Sequence, residues 1–297
     1  MGRAPVVLLA LLVAACGDSS APNEDESPAL GCGKSNPARG ERTLSYAGFD
    51  GLYLVSLPAS YDPNQRYPLG FAFHGSNRNH GDCRAQDCAG FQSAFGEEAV
   101  LVYLQSLREP NSAVEGGWDD AREDNVGFFE AVLEIARSEY CIDESRVFVA
   151  GASSGASFAN LLACRFGDRL LATAPVSGAL PESENCRGTP SAIVLHGIDD
   201  SHVPPAEGEA ARDFFVARNG CSEVTEPELA AMHADIRAKR DAEPTVEDAA
   251  CVEYQGCAAG SVRWCEHSYG GYDMSTHGWP PVGGQLIADF VRGLESL

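Results

Sequence analysis

The chain has 297 residues, of which 44% are hydrophobic, so it is long enough to fold around one large core. Its formal net charge of −22 argues against the basic surfaces that bind nucleic acid or attract anionic lipid headgroups. We therefore expect neither nucleic acid nor an electrostatic membrane contact, whereas a neutral polymer surface is compatible with this charge.

The N-terminus resembles an export signal. Arg3 precedes an apolar run over residues 6–15, which is too short to span a bilayer. Val13-Ala14-Ala15-Cys16 resembles a bacterial lipobox, in which the cysteine carries the lipid; the alternative is an ordinary signal peptide that happens to contain a cysteine. We predict an exported protein that is either secreted or attached to the cell envelope through lipid on Cys16 alone.

Three regions follow from this interpretation. Residues 1–15 are the predicted signal peptide, and residues 16–38 are a predicted flexible tether, because residues 17–28 are polar and acidic. Residues 39–297 form the predicted catalytic body, expected to be a monomer.

Apolar runs that predict β-strands alternate with helical patterns along this body. The predicted strands are Leu52–Leu57, Leu69–His74, Ala99–Leu104, Arg146–Ala150, Thr173–Ser177, Ala192–Leu195 and Ser261–Glu266. The predicted helices are Val126–Ala136, Ala156–Arg165, Glu207–Val216 and Gln285–Leu294. This alternation predicts an α/β fold with a mostly parallel sheet and helices on both faces. Residues 222–250 depart from it and are a predicted helical insertion, either on the surface or over the site.

A Gly-x-Ser-x-Gly motif follows the fourth predicted strand directly. Ser153 lies between Gly151 and Gly155, and a helical pattern begins immediately afterwards. A serine on so tight a strand-to-helix turn needs small neighbours and is exposed at the end of the sheet, as the nucleophile of an α/β-hydrolase is. The motif alone arises by chance in about one such chain in four, so the flanking strand and helix carry the prediction.

A serine nucleophile needs a base, and the base needs an acid that fixes its tautomer. We predict Asp200 as the acid, because it follows a buried strand at the end where ligands gather; Asp199 is the alternative. We predict His277 as the base, because it lies in a Gly- and Pro-rich loop before the last helix; His267 is the alternative. His196 and His74 directly precede glycines at strand ends, so we expect them to be structural.

The tetrahedral oxyanion needs two backbone donors. One is predicted at Ser154, directly after the nucleophile, and the other at Ser76 in the loop after the second predicted strand, with Asn77 as the alternative.

Ten cysteines follow Cys16 in the chain. An even number in an exported protein predicts up to five disulfides, and the absence of a Cys-x-x-Cys spacing disfavours zinc. Connectivity does not follow from one sequence. The local hypotheses are Cys83–Cys88, Cys221–Cys251 and Cys257–Cys265.

An ordered set of motifs extends through most of the mature chain. It includes Leu57-Pro58-x-x-Tyr61-Asp62, His74-Gly75, Cys141-Ile142-Asp143, Arg146-Val147-Phe148-x-x-Gly151-x-Ser153-x-Gly155, His196-Gly197-x-x-Asp200-x-x-Val203-Pro204, Arg218-Asn219-Gly220-Cys221, Tyr254-x-Gly256-Cys257 and Arg263-Trp264-Cys265. The set resembles the feruloyl esterase and polyhydroxybutyrate depolymerase family of secreted carbohydrate-type esterases. The resemblance implies an α/β-hydrolase fold and cleavage of carboxylic esters by Ser153, Asp200 and His277, with no cofactor or metal.

The chain also departs from the family pattern. Ala156 stands where a second glycine is usual, Asn125 stands where aspartate is usual, and Tyr272–Thr276 separate His277 from the Gly-Gly pair that normally precedes it. Trp118, Tyr272 and Trp279 are the predicted lining of an aromatic acyl pocket, although a loop tryptophan is at least as often a packing residue.

Hydroxycinnamoyl (feruloyl) esters of plant polysaccharide are the first expected substrate. Acetylated xylan or short acyl esters come next, and a polyhydroxybutyrate-type polyester is a further alternative. A hypothesis of another class is a surface lipoprotein that keeps the fold and binds a glycan without catalysis.

Overall fold

A computed structural model describes residues 1–2, 30–85, 88, 90–107, 116–118, 122–222, 226–242, 248–269 and 276–294. The predicted signal peptide beyond residue 2, Cys16 and Tyr272 lie outside the described residues.

The described chain builds one sheet of nine strands. They are β1 Gly40–Tyr46, β2 Phe49–Ser56, β3 Tyr67–Phe73, β4 Val100–Leu104, β5 Ile142–Ala152, β6 Ala172–Val176, β7 Ser191–Gly197, β8 Ala249–Glu253 and β9 Val262–His267. The order across the sheet is β1-β2-β4-β3-β5-β6-β7-β9-β8. Strands β4, β3, β5, β6, β7 and β9 are parallel to their neighbours within this group, whereas β1, β2 and β8 pair antiparallel at the edges. The predicted α/β architecture with a mostly parallel sheet is therefore confirmed.

Seven helices connect these strands in the described ranges. They are α1 His80–Ala85, α2 Phe91–Phe95, α3 Arg122–Glu139, α4 Ser154–Phe166, α5 Pro205–Asn219, α6 Glu226–Ala242 and α7 Gly283–Leu294. Alternate residues of the buried strands face opposite helical layers: Phe73 packs with α3 and α4, whereas Ala72 packs with α2 and α7. Because both faces are covered, β3, β4, β6 and β7 are buried along their length, and β5 is buried over most of its last residues before the turn, which explains the continuous apolar runs of these segments.

Strands β1 and β8 were not predicted. Strand β1 alternates between half-buried and exposed residues, and β8 is half-buried or exposed throughout, so neither carries the apolar run of a central strand. The C-terminal part of the predicted insertion thus contains the start of an edge strand.

Helix α6 occupies most of the predicted insertion and packs along β8 and β9 at this edge of the sheet. Met232 and Ile236 of its apolar stripe are buried. Its polar face reaches the acid loop, because an Arg237 guanidinium nitrogen lies 3.9 Å from a carboxylate oxygen of Asp199.

All ten cysteines after Cys16 pair. The five disulfides are Cys32–Cys141, Cys83–Cys88, Cys164–Cys186, Cys221–Cys257 and Cys251–Cys265. Of the local hypotheses, Cys83–Cys88 is confirmed, whereas Cys221–Cys251 and Cys257–Cys265 are wrong. The antiparallel register places Cys251 of β8 directly opposite Cys265 of β9, which leaves Cys221 to pair with Cys257.

The predicted tether is too long at its C-terminal end. Cys32 is bonded to Cys141, the Gly33 N–H donates to the Pro63 carbonyl oxygen over 2.8 Å, and the Tyr140 hydroxyl donates to the Ala38 carbonyl oxygen over 2.7 Å. These contacts hold the segment from Cys32 to Ala38 against the body, so it is part of the fold.

Candidate active site

Ser153 lies at the strand-to-helix turn between β5 and α4. Its backbone has φ 55° and ψ −121°, and a positive φ is rare for a residue with a side chain. The Ser153 N–H donates to the Val176 carbonyl oxygen over 2.9 Å, which ties the turn to the end of β6.

The flanking glycines are required by close backbone contacts. A Cβ at Gly155 would lie 2.4 Å from the Phe73 carbonyl oxygen, and a Cβ at Gly151 would lie 2.2 Å from the Gly155 carbonyl oxygen. The turn is therefore compact enough to leave the Ser153 side chain at the carboxyl end of the sheet.

Asp200 lies just beyond β7 at the same end of the sheet, and its side chain is fully buried. One carboxylate oxygen accepts the N–H groups of His202 (3.0 Å) and Val203 (2.9 Å). Burial opposes ionisation of Asp200, but hydrogen bonds from the His277 ring and from the backbone outweigh it, so the pKa lies below its ordinary value. The carboxylate is consequently ionised near neutral pH.

The His277 ring meets the other oxygen of this carboxylate, with 2.8 Å between Nδ1 and Oδ2. A neutral imidazole that donates from Nδ1 has an unprotonated Nε2, which is the state that a general base requires. The ring is mostly buried, with 12% of its side chain exposed. The structure thus brings together the predicted acid and base from residues 77 positions apart in the chain.

The two alternatives lie elsewhere. The Asp199 carboxylate is one-third exposed and faces Arg237 of α6 rather than the His277 ring. His267 ends β9 beside Gly197 and is fully buried, and burial lowers its pKa to about 3. A histidine with no exposed surface is unsuited to deliver protons to a substrate.

His196 lies against the acid from within the core. Its Nε2 donates to the Val203 carbonyl oxygen over 2.9 Å and lies 3.5 Å from an Asp200 carboxylate oxygen. A Cβ at Gly208 of α5 would meet its ring at 2.2 Å. His196 therefore packs behind Asp200 as a structural residue, as we expected.

The two residues predicted to supply the oxyanion donors lie near each other beside the serine turn. A Cβ placed on Gly117 would lie 3.1 Å from the Ser76 hydroxyl oxygen and 3.7 Å from the Ser154 hydroxyl oxygen, so these three residues surround one small space. Gly75 is close to the nucleophile, because its Cβ would lie 3.4 Å from the Ser153 Cβ. Asn77, the alternative donor, follows with φ 59°.

His74 holds this loop in place. Its Nδ1–H donates to the Gly75 carbonyl oxygen over 2.8 Å, and its Nε2 accepts the Ser106 N–H over 3.1 Å. Burial lowers the pKa of the ring to about 4, so it stays neutral and keeps this tautomer. The role is structural, as we expected from its position.

Trp118 does not line a pocket, so this part of the prediction is wrong. Its side chain is 1% exposed, its Nε1–H donates to the His74 carbonyl oxygen over 2.7 Å, and its ring stacks on Phe158 with 4.5 Å between centroids. Trp118 therefore packs in the core beneath the site and stabilises it.

Trp279 follows the base closely and is partly exposed. Its ring meets Phe91 edge to face, with 5.9 Å between centroids. It is thus the described member of the predicted aromatic lining that keeps an accessible surface.

Three supporting residues were not identified from the sequence. Buried Asn125 accepts the Leu107 N–H over 2.7 Å and donates to the Trp118 carbonyl oxygen over 3.3 Å, which ties two segments beside the site together. Thr276 directly precedes the base, and the Ser177 hydroxyl accepts the backbone N–H of the residue directly after it. The sequence did contain a signal for Asn125, because this residue stands where aspartate is usual in the family pattern.

In the described ranges, no group of three or more histidine, cysteine, aspartate or glutamate side chains has an arrangement that could hold a metal ion. The helices in those ranges are also each too short or too polar to cross a bilayer.

The chain is similar in sequence to several known proteins. No protein-family model matches the chain. Feruloyl esterase D of Neurospora crassa is 27% identical over 258 residues, which cover 81% of each chain. A probable feruloyl esterase C of Aspergillus niger is 29% identical over 64% of this chain and 69% of its own length. Poly(3-hydroxyalkanoate) depolymerase C of Paucimonas lemoignei is 27% identical over 52% of this chain and 37% of its own.

Solved structures share the fold. A CE1 ferulic acid esterase from Anaeromyces mucronatus, solved with ferulic acid, has a TM-score of 0.56 at 15% identity, over 88% of this chain and 91% of its own. An acetyl xylan esterase from Aspergillus awamori has a TM-score of 0.59 at 14% identity, over 86% of this chain and 99% of its own. The chain therefore has the fold of esterases of the α/β-hydrolase type, and it is similar in sequence to feruloyl esterases and to a poly(3-hydroxyalkanoate) depolymerase, the family that its motifs resemble.

Proposed function

We propose that the protein hydrolyses carboxylic esters through an acyl-enzyme on Ser153, with His277 as general base and Asp200 as its acid partner. The observation that carries this proposal is the 2.8 Å contact between His277 Nδ1 and Asp200 Oδ2, at the sheet end where the strained Ser153 turn lies. A histidine that merely lay on the surface would not be expected to contact a buried carboxylate at that position.

In this mechanism His277 Nε2 takes the proton of the Ser153 hydroxyl as the oxygen attacks the ester carbonyl carbon. The carbonyl π electrons move onto oxygen, and the N–H groups of Ser154 and Ser76 bind that oxyanion. The intermediate collapses, the alcohol leaves with the proton from His277, and the acyl group stays on Ser153. Water then attacks with the same base and releases the acid.

The role of Asp200 follows from its electrostatics. Its carboxylate is ionised and already satisfied on one oxygen by two backbone N–H groups. The other oxygen holds the His277 tautomer and offsets the positive charge that the ring acquires in each transition state.

We propose hydroxycinnamoyl esters of plant polysaccharide as the substrate class, with feruloyl groups first. Support comes from the feruloyl esterases of N. crassa and A. niger, which match this chain over most of their length. Short acyl esters and hydroxyalkanoate polyesters are the runners-up, the second because of the P. lemoignei relative. Trp279 and Tyr272 would contact the acyl group.

We also propose that the protein works outside the cytoplasm as a monomer. Five disulfides fit an oxidising compartment. Lipid on Cys16 would attach it to the envelope, with the segment before Cys32 as the tether.

The experiment compares methyl ferulate, p-nitrophenyl acetate and a hydroxybutyrate oligomer as substrates for a soluble form that lacks residues 1–16. We expect methyl ferulate to have the highest kcat/KM and Ser153→Ala to lose at least about 1,000-fold in kcat. Ser145→Ala, which removes an exposed hydroxyl near the start of β5, is the matched control and should keep wild-type rates. Preference for another ester reassigns the substrate class, whereas no hydrolysis of any ester supports the non-catalytic glycan binder.

A further inference from the structure

Backbone strain is concentrated in the loops of the site. Eight described non-glycine residues have positive φ, and four of these lie in the loops around Ser153, Asp200 and His277: Asn77, Ser153, Ser177 and Thr276. Asparagine tolerates this region, but for a β-branched threonine at φ 55° it is a true outlier. Such a conformation persists only where the surrounding contacts impose it, so the contacts of Thr276 and Ser177 are informative.

Thr276 connects the base loop to the acid loop. It is 1% exposed, and its hydroxyl oxygen accepts the Asp199 N–H over 3.0 Å. A Cβ at Gly197 would lie 1.9 Å from the Thr276 carbonyl oxygen, so the two backbones touch where β7 ends. The residue before His277 is thereby fixed to the residue before Asp200.

Ser177 holds the other side of the base. It is fully buried at the end of β6, and its N–H donates to the Leu195 carbonyl oxygen over 2.9 Å. Its hydroxyl oxygen accepts the Gly278 N–H over 3.3 Å. The residue after His277 is thus fixed next to Val176, the residue whose carbonyl oxygen accepts the Ser153 N–H.

We propose that Thr276 and Ser177 are positioning residues that clamp His277 from both sides, Thr276 toward the acid and Ser177 toward the nucleophile. The inference rests on the proposed function. Each hydroxyl accepts one backbone N–H, and the imidazole lies between the two anchored residues. Among the titratable neighbours, the His202 ring lies against the His277 ring with 4.9 Å between centroids, so it contacts the base directly but does not anchor the backbone on either side of it. His196 lies beside Asp200, and the Asp199 carboxylate faces Arg237 of α6. His267 is fully buried at the end of β9.

The kinetic test removes each anchoring hydroxyl with little change in size. Thr276→Val and Ser177→Ala should lower kcat by about 10- to 100-fold and change KM by less than about twofold, because a small displacement of the base affects the chemical step more than binding. Thr276→Ser keeps the acceptor and should stay within about threefold of wild type.

Two matched controls lose a buried hydroxyl away from the loops. Thr173→Val removes a hydroxyl of β6 that donates to the Ala159 carbonyl oxygen, and Ser191→Ala removes one that accepts the Ser261 N–H at the opposite end of β7. Both should keep the wild-type kcat. If the controls fall as far as Thr276→Val and Ser177→Ala, the losses report general stability and the proposal is overturned.

A spectroscopic measurement separates this proposal from the proposed function. The Nδ1–H of His277, held against Asp200, should give a low-field proton resonance that is absent in His277→Ala. We expect it in wild type and in both controls, and broadened or lost in Thr276→Val and Ser177→Ala. Unchanged resonances in both variants overturn the clamp whatever the activity, and Ser177→Ala carries the test alone if Thr276→Val does not fold. A wild type that hydrolyses no ester contradicts the proposed function only.

Discussion

Mild acid should destabilise this protein through two buried neutral histidines. His267 is fully buried and burial lowers its pKa to about 3, while His74 is 3% exposed and has a pKa of about 4. In the unfolded chain both rings return to a pKa of about 6.5. At pH values between the folded and the unfolded pKa, both rings are therefore protonated in the unfolded chain and neutral in the folded protein.

The sign and size follow from this difference. As pH falls below about 6.5 the unfolded chain gains protons first, so the free energy of unfolding falls with it. At pH 5 each ring is neutral in the folded state but protonated in the unfolded chain. Because pH 5 lies about 1.5 units below the unfolded pKa, at 1.36 kcal/mol per unit, each ring lowers the free energy of unfolding by about 2 kcal/mol. The two rings together give about 4 kcal/mol relative to pH 8. Asp200 adds nothing in this window, because its pKa lies below its ordinary value of 3.8.

The assay is urea unfolding at several pH values from 8 to 5. His267→Asn removes one titrating ring, and its loss of stability between pH 8 and pH 5 should be about 2 kcal/mol smaller than that of wild type. Ser268→Ala, at a buried neighbouring position, is the control: it changes the absolute free energy of unfolding but should keep the wild-type pH dependence. Equal pH dependence in His267→Asn and wild type would refute the reasoning.

Three further substitutions test the site and the fold. Gly117→Ala places a methyl group 3.1 Å from the Ser76 hydroxyl oxygen and should lower kcat about tenfold with an unchanged Tm; an unchanged kcat shows that this space is not used. Gly155→Ala places its methyl group 2.4 Å from a backbone carbonyl oxygen and should cost at least about 3 kcal/mol in urea unfolding, whereas a wild-type midpoint contradicts the tight turn. Replacing both Cys32 and Cys141 with alanine opens a loop of 109 residues and should cost about 5 kcal/mol, and a loss under about 1 kcal/mol argues against that pairing.

The central sheet and the chain order of the site could be predicted because their signals are local. The apolar run of β5 ends directly at the serine motif, and the run of β7 ends just before Asp200. Parallel strands end at one edge, so a residue just beyond such a strand is placed by the fold itself. Edge strands lack this signal, which is why β1 and β8 were not predicted.

Features that depend on contacts between distant segments could not be predicted. The pairing of Cys251 with Cys265 needs the register of β8 against β9. The sequence around Trp118 would read the same whether its ring lined a pocket or stacked on Phe158, and only the packing in the structure distinguishes the two. Thr276 likewise owes its role to Asp199, which is 77 positions away in the chain.

The most direct measurement of the central claim is labelling with a serine-directed fluorophosphonate, followed by peptide mass mapping. We expect one label per molecule, on Ser153, at a rate that falls by at least about 1,000-fold in His277→Ala. Stoichiometric labelling of another serine, or labelling of Ser153 that does not depend on His277, would contradict a nucleophile activated by that base.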